Sequence, residues 1–318
     1  MSLAVLPDQP AGCEIVPAWV RGEPAQRAMI VLRAVGCAWD RGRGGCSHCG
    51  FRPLTTQGQP VSPSGLVRQV DGALSRLDCA RRRILEIDVY NSGNFLNEAE
   101  IPAEAQRAIA VRVAAEEAVR LLLVESRPEY ITAEALRRLS AAIARPAIEW
   151  EVGIGLESAT DAIREGYLKK GISRDAFERS VKRLADAGAG LLAYIMLKPM
   201  PMSDGEALDD VERSAEYIHQ VASRCGARAR VALNPTFVVP GTGLANDYRA
   251  GRYSPPSLAM VCEAVRRTAG LGELQVGLWD EGLAPLAVPD GCGESREIIL
   301  HALEEFNRTQ QDGAIGSL

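Results

Sequence analysis

The sequence predicts an α/β protein in which a parallel sheet is covered by helices. Six short apolar runs rich in β-branched residues alternate with helical patterns, which is the rhythm of repeated strand–helix units. Several runs are apolar throughout, which is typical of strands buried on both faces. Such a chain either closes as a barrel or lies open as a doubly wound sheet. The predicted strands are 28–35, 84–90, 121–125, 148–156, 191–198 and 229–233.

The first strand is followed by a loop that contains three cysteines. No Gly-x-Gly-x-x-Gly motif occurs there, so the dinucleotide-binding fingerprint is absent from this position. The first predicted helix, 62–76, has Pro63 in its first turn, where proline is favourable.

The later helices carry similar signals at their ends. The helix at 173–187 stops before Gly188, a common helix terminator. The helix at 203–223 has Asp204 and Glu206 in its first turn, where negative charge is stabilising. Further helices are predicted at 102–119, 132–144 and 158–170.

The character of the chain changes after Asn234 and Pro235. Residues 238–256 are rich in glycine, proline and turn-forming residues. A helix at 257–269, a strand at 273–279 and a helix at 293–309 follow. We interpret 237–318 as a small α+β extension, 27–236 as the main domain and 1–26 as an N-terminal extension.

Composition and charge limit the function classes. The 318 residues are 47% hydrophobic, enough for a sizeable core, and no apolar run approaches the roughly 20 residues of a membrane span. The N-terminus lacks a signal-peptide pattern, so we expect a soluble, cytoplasmic protein. A net charge of -5 argues against a nonspecific nucleic-acid binder. The three arginines at 81–83 could form a local basic surface for nucleic acid, although an ordinary solvated surface is the simpler interpretation.

Three of the eight cysteines form a cluster in the sequence: Cys37, Cys46 and Cys49. In a cytoplasmic chain such a cluster favours ligands or buried thiols over disulfides. Three thiolates are one short of a closed zinc site and of a fully protein-ligated [4Fe–4S] cluster. Three cysteine thiolates on a cubane [4Fe–4S] cluster leave the fourth iron without a protein ligand, and a chelating amino acid can bind it. Two alternatives remain: a zinc site whose fourth ligand is a distant residue, and buried thiols that bind no metal. His48 is an unsuitable fourth zinc ligand, because it lies between Cys46 and Cys49 in the sequence and could hardly reach the same metal.

The segment 32–50 resembles the cluster loop of the radical S-adenosylmethionine (SAM) superfamily, in particular the archaeosine-synthase-like branch related to the Elp3 group. The likeness runs from Arg33 to the C-terminus and implies a partial (β/α)6 TIM-like barrel with the C-terminal extension covering its opening. It continues in Asp88–Phe95, Glu125–Tyr130, Gly153–Ser158, Lys198–Pro199 and Asn234–Thr236.

The resemblance also implies a ligand set. Cys37, Cys46 and Cys49 would bind three irons of a [4Fe–4S] cluster, and SAM would bind the fourth. His48 departs from the hydrophobic residue usual beside the adenine, although an imidazole can fill that place. The other implied SAM contacts are Asn91, Ser92 and Gly93 at the amino group, Glu125 and Arg127 on the cleft floor, Glu157 and Ser158 at the ribose, and Lys198 and Asn234 in the same cavity.

Several of these residues have simpler interpretations. Glu125 and Arg127 could form a structural pair, Glu157 could cap the following helix, and Lys198 could be a strand-end charge. Cys292 has no cysteine neighbour in the sequence, so we expect no second metal site there. No side chain is predicted to be catalytic in itself.

The implied activity is reductive cleavage of SAM to a 5′-deoxyadenosyl radical, which abstracts hydrogen from a substrate. The cofactors do the difficult chemistry while the protein binds and orients them. An electron donor such as flavodoxin or ferredoxin is the implied partner. We favour a small-molecule substrate, such as an intermediate of secondary metabolism. One alternative is a C–N lyase that acts on a lysine-bearing 7-deazaguanine in tRNA. The other is a non-catalytic binding module stabilised by zinc.

Overall fold

The computed structural model describes residues 8–280, 282–290 and 296–316. Eight strands form one sheet in chain order, in which β1 and β2 are antiparallel and every later pair is parallel. The sheet curls into a nearly closed barrel, so the predicted α/β partial barrel is confirmed. The strands are β1 Gly12–Val20, β2 Glu23–Val31, β3 Ile84–Tyr90, β4 Leu121–Glu125, β5 Glu149–Glu157, β6 Gly190–Leu197, β7 Ala229–Pro235 and β8 Leu274–Val276.

The structure has one strand more than the seven predicted, because β1 was missed, whereas β8 lies within the predicted strand 273–279. β1 forms a hairpin with β2, in register from Gly12 opposite Val31 to Val20 opposite Glu23. The polar start of β2 concealed this hairpin, because sequence analysis took Ala28 as its first residue. β8 adds the last strand beside β7. The proposed division of the chain at residues 26 and 236 stays a prediction.

The helices lie outside the barrel and mostly begin where the sequence predicts. The side chains of Ser62, Thr132, Ser173, Ser203 and Ser257 accept the hydrogen bonds that cap five of them. The helices are α1 Ala38–Arg43, α2 Pro63–Leu77, α3 Cys79–Arg82, α4 Ala103–Ala115, α5 Ala133–Ala142, α6 Arg174–Asp186, α7 Asp204–Cys225, α8 Gly243–Arg249, α9 Leu258–Thr268, α10 Arg296–Thr309 and α11 Gly313–Gly316. None of these described helices has the length and apolar character needed to cross a membrane.

The predicted α-helix at 158–170 is a short π-helix, Ala162–Tyr167. Arg164 lies within this turn, and its side chain is almost completely buried. Its guanidinium donates to the carbonyl oxygens of Ser158 at 2.9 Å and Ile172 at 2.7 Å. The wider turn is consistent with a bond from the Leu168 N–H to the Ile163 carbonyl, five residues back.

Helix α10 covers the gap between the two edge strands. It packs against β1, β2 and β8. The Asn307 side chain donates to the Val276 carbonyl at 2.8 Å and accepts from the Val276 N–H at 2.7 Å. Gln310 makes the same two kinds of bond to Leu274, at 2.8 and 3.0 Å. Two amide side chains, one in α10 and one just after it, therefore pair with the free edge of β8.

The strands alternate in polarity more than the sequence analysis assumed. On β3, Ile87 and Val89 are part of the hydrophobic layer under the helices, whereas Glu86 and Asp88 belong to a buried ionic network. The strand is buried on both faces, as expected, but the face that points into the barrel carries charged side chains. The barrel interior holds paired ions as well as aliphatic side chains.

Arg230 is the centre of the largest of these pairings. Its guanidinium donates to Glu86 at 3.1 Å and to Glu151 at 2.7 Å, and all three side chains are at most 5% exposed. Each carboxylate is thus compensated within the barrel, which a buried charge requires.

We expect Arg230→Ala to lower the free energy of unfolding by about 3–5 kcal/mol, because it leaves the buried Glu86 carboxylate without its ion-pair partner and Glu151 with Arg21 alone. Urea unfolding at neutral pH measures the change. The matched control is Arg228→Ala, since Arg228 is 52% exposed and pairs with Glu149 at the surface. Its loss is expected to cost about 0–1 kcal/mol. Equal small losses in both variants would contradict the assignment.

Candidate functional site

A cavity of about 350 Å³ opens inside the barrel toward the carboxyl ends of the strands. Four of the residues predicted from the sequence line it: His48, Glu125, Glu157 and Asn234. The aromatic and polar residues that complete its wall include Tyr90, Tyr194, Thr236, Gln275 and Trp279. Active sites of α/β barrels are built at this end.

The cysteine loop is held against the rim of this cavity by backbone contacts. The Ser47 N–H donates to the Leu168 carbonyl at 3.0 Å, and the Ser47 hydroxyl donates to the Tyr167 carbonyl at 2.7 Å. On its other side, the Gly243 N–H donates to the Ser47 carbonyl at 3.1 Å. The loop is thus fixed both to the end of the π-helix and to the start of α8.

Arg127 braces the same loop. Its guanidinium lies over the Trp39 ring at 4.3 Å and donates to the carbonyl oxygens of Lys170 at 2.7 Å and Gly171 at 3.1 Å. A third bond reaches Glu129 at 2.6 Å. All three guanidinium nitrogens are engaged, so the structure gives Arg127 a role in joining α1 to segment 169–171. Its predicted contact with the SAM carboxylate stays untested.

Burial disfavours ionisation of two of the three thiols in the loop, Cys46 and Cys49. Burial raises the pKa of Cys49 to about 12, and the thiols of Cys46 and Cys37 add to this, while Lys170 acts in the opposite direction. Burial likewise raises the pKa of Cys46, against the effects of Lys170 and Arg127. A metal bound by these thiols would have to displace their protons.

Among the described residues, no three His, Cys, Asp or Glu side chains converge as they do around a single metal ion. A cubane holds its three cysteines on three different irons, which needs a wider arrangement. Cys37 and Cys49 line a small cavity of about 40 Å³ together with Ser92. Cys292 lies outside the described residues.

Polar atoms without partners surround the cysteine loop. His48 Nδ1, Asn91 Oδ1 and Ser92 Oγ are buried and have no hydrogen-bond partner within the described structure. Burial lowers the pKa of His48 to about 4, so its imidazole is neutral. Buried polar atoms are normally satisfied, and unpaired ones often mark the place of a bound group. Three thiolates beside such atoms fit a cluster with a polar ligand.

Lys170 is a member of the site that sequence analysis missed. Its ammonium donates to Glu157 Oε1 at 2.9 Å, and both side chains are largely buried. Burial lowers the pKa of Lys170, but Glu157 and then Cys46 raise it above its ordinary value. A Cβ on Gly155 would stand 2.7 Å from the Lys170 Nζ, so glycine makes room for this ion pair. Lys170 thus places a fixed positive charge beside the cysteine loop.

The rarity of lysine was the one feature of the sequence that could have drawn attention to Lys170. Only four of the chain's 36 basic residues are lysines. Two of these, Lys170 and Lys198, are buried in ion pairs. Lysine offers a compact charge that arginine cannot replace.

Three of the predicted residues lie at strand ends with left-handed backbone. Ser92, Glu157 and Lys198 have φ values of 51°, 66° and 57°. At Glu157 the register between β5 and β6 also shifts. Such conformations cost roughly 1–3 kcal/mol for a non-glycine residue and are concentrated at functional sites.

Of the ten predicted SAM contacts, six are absent from the lining of the main cavity: Asn91, Ser92, Gly93, Arg127, Ser158 and Lys198. Two of these, Ser158 and Lys198, are bound to side chains of α7. The hydroxyl of Ser158 donates to Asp210 at 3.0 Å, which ties the end of β5 to α7. The ammonium of Lys198 donates to Asp204 at 2.7 Å, at the first turn of α7. The structure therefore brings them to the rim and gives them partners there, outside the described lining of the cavity.

Glu125 lies beside a second polar chain inside the barrel, formed by Tyr194, Tyr90 and Asp88. Tyr194 Oη donates to Tyr90 Oη at 3.4 Å, and Tyr90 Oη donates to Asp88 at 2.9 Å. Burial raises the pKa of Glu125 to about 7, although Tyr194 and Lys170 act to lower it. Near neutral pH this carboxyl can therefore hold or release a proton within the cavity.

We expect Glu125 to make folding stability depend on pH. Its folded-state pKa of about 7 exceeds the ordinary 4.5, so its stabilising contribution is complete below pH 4.5 and is lost as pH rises through about 7. Relative to Glu125→Gln, the wild type should lose on the order of 1–3 kcal/mol over this interval. Urea unfolding across the pH range measures it. The exposed Glu134→Gln is the control, and parallel curves for wild type and Glu125→Gln would refute the expectation.

Comparison with known proteins is consistent with this site. No family model matches the chain. It is 27% identical over 293 residues to the archaeosine synthase subunit beta of Methanosarcina acetivorans, covering 92% of this chain and 81% of that protein. It is 25% identical to the protein of the same name from Thermococcus kodakarensis, covering 94% of this chain and 90% of that protein.

Solved structures share the fold. Elp3 of Methanocaldococcus infernus superposes with a TM-score of 0.55 at 15% identity, covering 78% of this chain and 60% of Elp3. SuiB of Streptococcus suis, solved with bound S-adenosylmethionine, gives 0.50 at 9% identity and covers 80% of this chain and 52% of SuiB. The resemblance predicted from the cysteine loop is thus confirmed: this chain is similar over more than 90% of its length to proteins named archaeosine synthase subunit beta, and it shares its barrel fold with Elp3.

Proposed function

We propose that this chain is a radical SAM enzyme whose Cys37, Cys46 and Cys49 bind a [4Fe–4S] cluster. The observation that carries the proposal is the position of these three thiols, which share one braced loop at the carboxyl rim of the barrel. Unpartnered polar atoms and a buried cavity lie beside them. Bound there, the cluster and SAM would supply one electron and a 5′-deoxyadenosyl radical able to abstract a hydrogen atom.

The protein's own groups would hold the cofactors in place. Lys170 supplies a positive charge close to the thiolates, which favours their deprotonated form. Neutral His48 faces the cavity and can accept or donate a hydrogen bond there. Asn91 Oδ1 and Ser92 Oγ are acceptors suited to an ammonium group. Glu157 keeps its carboxylate in the cavity wall through the pairing with Lys170.

Exclusion of water is the second contribution of the chain. The β8 edge, Trp279 and Asn307 of α10 close the cavity on the side where the barrel lacks a strand. A reactive primary radical requires such a wall, because it must meet only the intended C–H bond.

We infer two candidate substrate classes. A small molecule is favoured by the modest cavity volume of about 350 Å³ and by the net charge of -5, which is unsuited to unaided binding of nucleic acid. A modified tRNA nucleoside is favoured by the two relatives named archaeosine synthase subunit beta. The word "subunit" in those names suggests that a second protein could supply tRNA binding. A cytoplasmic location and a flavodoxin or ferredoxin as electron donor belong to the same proposal.

We expect Cys46→Ala to abolish both the brown colour of the anaerobically reconstituted protein and 5′-deoxyadenosine formation, because two thiolates cannot retain the cluster. Absorbance near 400 nm, iron content and product analysis after dithionite reduction measure this. The matched control is Cys13→Ala, an exposed cysteine outside the loop, which should keep both properties. Undiminished turnover in Cys46→Ala, or a colourless wild type that binds zinc, would overturn the cluster assignment.

The substrate class is tested by adding extract of the source cells to the reduced wild-type protein. Stimulation of 5′-deoxyadenosine formation that is lost after RNase treatment identifies a tRNA substrate. Stimulation that survives RNase and passes a small-molecule filter identifies a metabolite. The Cys46→Ala protein serves as the blank in both arms.

A further inference from the structure

Asn94 lies next to the cysteine loop and has no role in the site described so far. Its side chain is completely buried in the turn after β3. Its amide nitrogen Nδ2 lies 3.6 Å from Cys37 Sγ, within hydrogen-bonding distance of sulfur. Asn94 is therefore a polar neighbour of a proposed iron ligand.

The orientation of the Asn94 amide is fixed by its other partners. Its Oδ1 accepts a hydrogen bond from the Arg127 N–H at 2.9 Å, which only an oxygen can do. Its Nδ2 donates to Glu100 Oε1 at 2.7 Å, which only the nitrogen can do. One of the two amide hydrogens is thus used by Glu100, and the other is directed to Cys37 Sγ.

Glu100 holds this arrangement together. The carboxylate is 3% exposed and accepts from the Ala38 N–H at 2.8 Å and from Asn97 Nδ2 at 2.9 Å, in addition to Asn94. Ala38 directly follows Cys37, so the same carboxylate anchors both the ligand's neighbour and the donor to its sulfur. A Cβ on Gly93 would lie 2.2 Å from Glu100 Oε2, which gives that glycine a packing reason independent of SAM.

We propose that Asn94 is a positioning residue that donates an N–H···S hydrogen bond to Cys37 and thereby raises the reduction potential of the cluster. The inference rests on the proposed function, since it requires the cluster. Reduction adds negative charge to the cluster and its thiolate sulfurs, so a donor stabilises the reduced form more than the oxidised one. Hydrogen bonds to the sulfurs are among the established determinants of such potentials.

Asn94→Leu removes the donor and keeps similar volume. Given the net value of a single hydrogen bond, we expect the ratio of reduced to oxidised cluster at a fixed potential to fall by about threefold to tenfold. For one electron this corresponds to a midpoint about 30–60 mV more negative. Asn94→Ser, whose hydroxyl is too short to reach Cys37, should shift it in the same direction.

The matched control is Asn97→Ser. It removes another hydrogen bond to Glu100 without touching the sulfur, so a purely structural effect would appear there equally. The measurement is an anaerobic potentiometric titration of the reconstituted proteins, followed by electron paramagnetic resonance, with iron and sulfide determined on each. Circular dichroism establishes that each variant is folded.

Each outcome has one meaning. A wild type that assembles no cluster refutes the proposed function itself. If the wild type assembles its cluster, unchanged midpoints in both Asn94 variants, or an equal shift in Asn97→Ser, overturn the role of Asn94. Folded Asn94 variants that lack iron also overturn it, in favour of a role in cluster assembly.

A measurement on the wild type alone guards against variants that fail to fold. Asparagine labelled with ¹⁵N in the side chain is incorporated, and the reduced cluster is examined by pulsed electron paramagnetic resonance. A ¹⁵N coupling to the cluster is expected from a donor this close to Cys37. Its absence would refute the hydrogen bond regardless of how the variants behave.

Discussion

The arrangement of the whole site depends on the guanidinium of Arg127. This one group stacks on Trp39 of α1 and binds the backbone carbonyls of residues 170 and 171. It thereby joins the end of β4, the cysteine loop and the segment that carries Lys170. A planar cation with several donors can make such a three-way junction, whereas a lysine could not. The loop that bears the cysteines contains several glycines and has little regular structure, so its geometry depends on these external contacts.

Charge inside the barrel is the second organising feature. Arg230 compensates Glu86 and Glu151, and Arg27 compensates Asp88 at 3.1 Å. Nearer the carboxyl rim than these pairs, Tyr90, Tyr194 and Glu125 line the cavity. A core of this kind costs desolvation energy and is stable only when each ion is paired. It also provides a polar floor for the cavity.

The rim combines strain with incomplete hydrogen bonding. Left-handed backbone at Ser92 and Glu157 turns the chain sharply as it leaves β3 and β5. Next to these turns, the side chains of Asn91 and His48 retain atoms without partners. Three of the twelve buried polar side-chain atoms that lack a partner in the described structure therefore lie beside the three thiols. They support the proposal that a polar ligand binds at the rim.

The sequence by itself determined the strand–helix order, most helix starts and the cysteine loop. These features depend on local signals: apolar runs, serine and threonine caps, and residue spacing. It did not reveal the β1–β2 hairpin, the π-helix around Arg164, or the roles of Lys170, Asn94 and Glu100. Each of those depends on partners far away in the chain, such as Glu157 for Lys170 and Cys37 for Asn94. Only the closing of the sheet brings the strand ends together, and this decides which buried charges find a counterion.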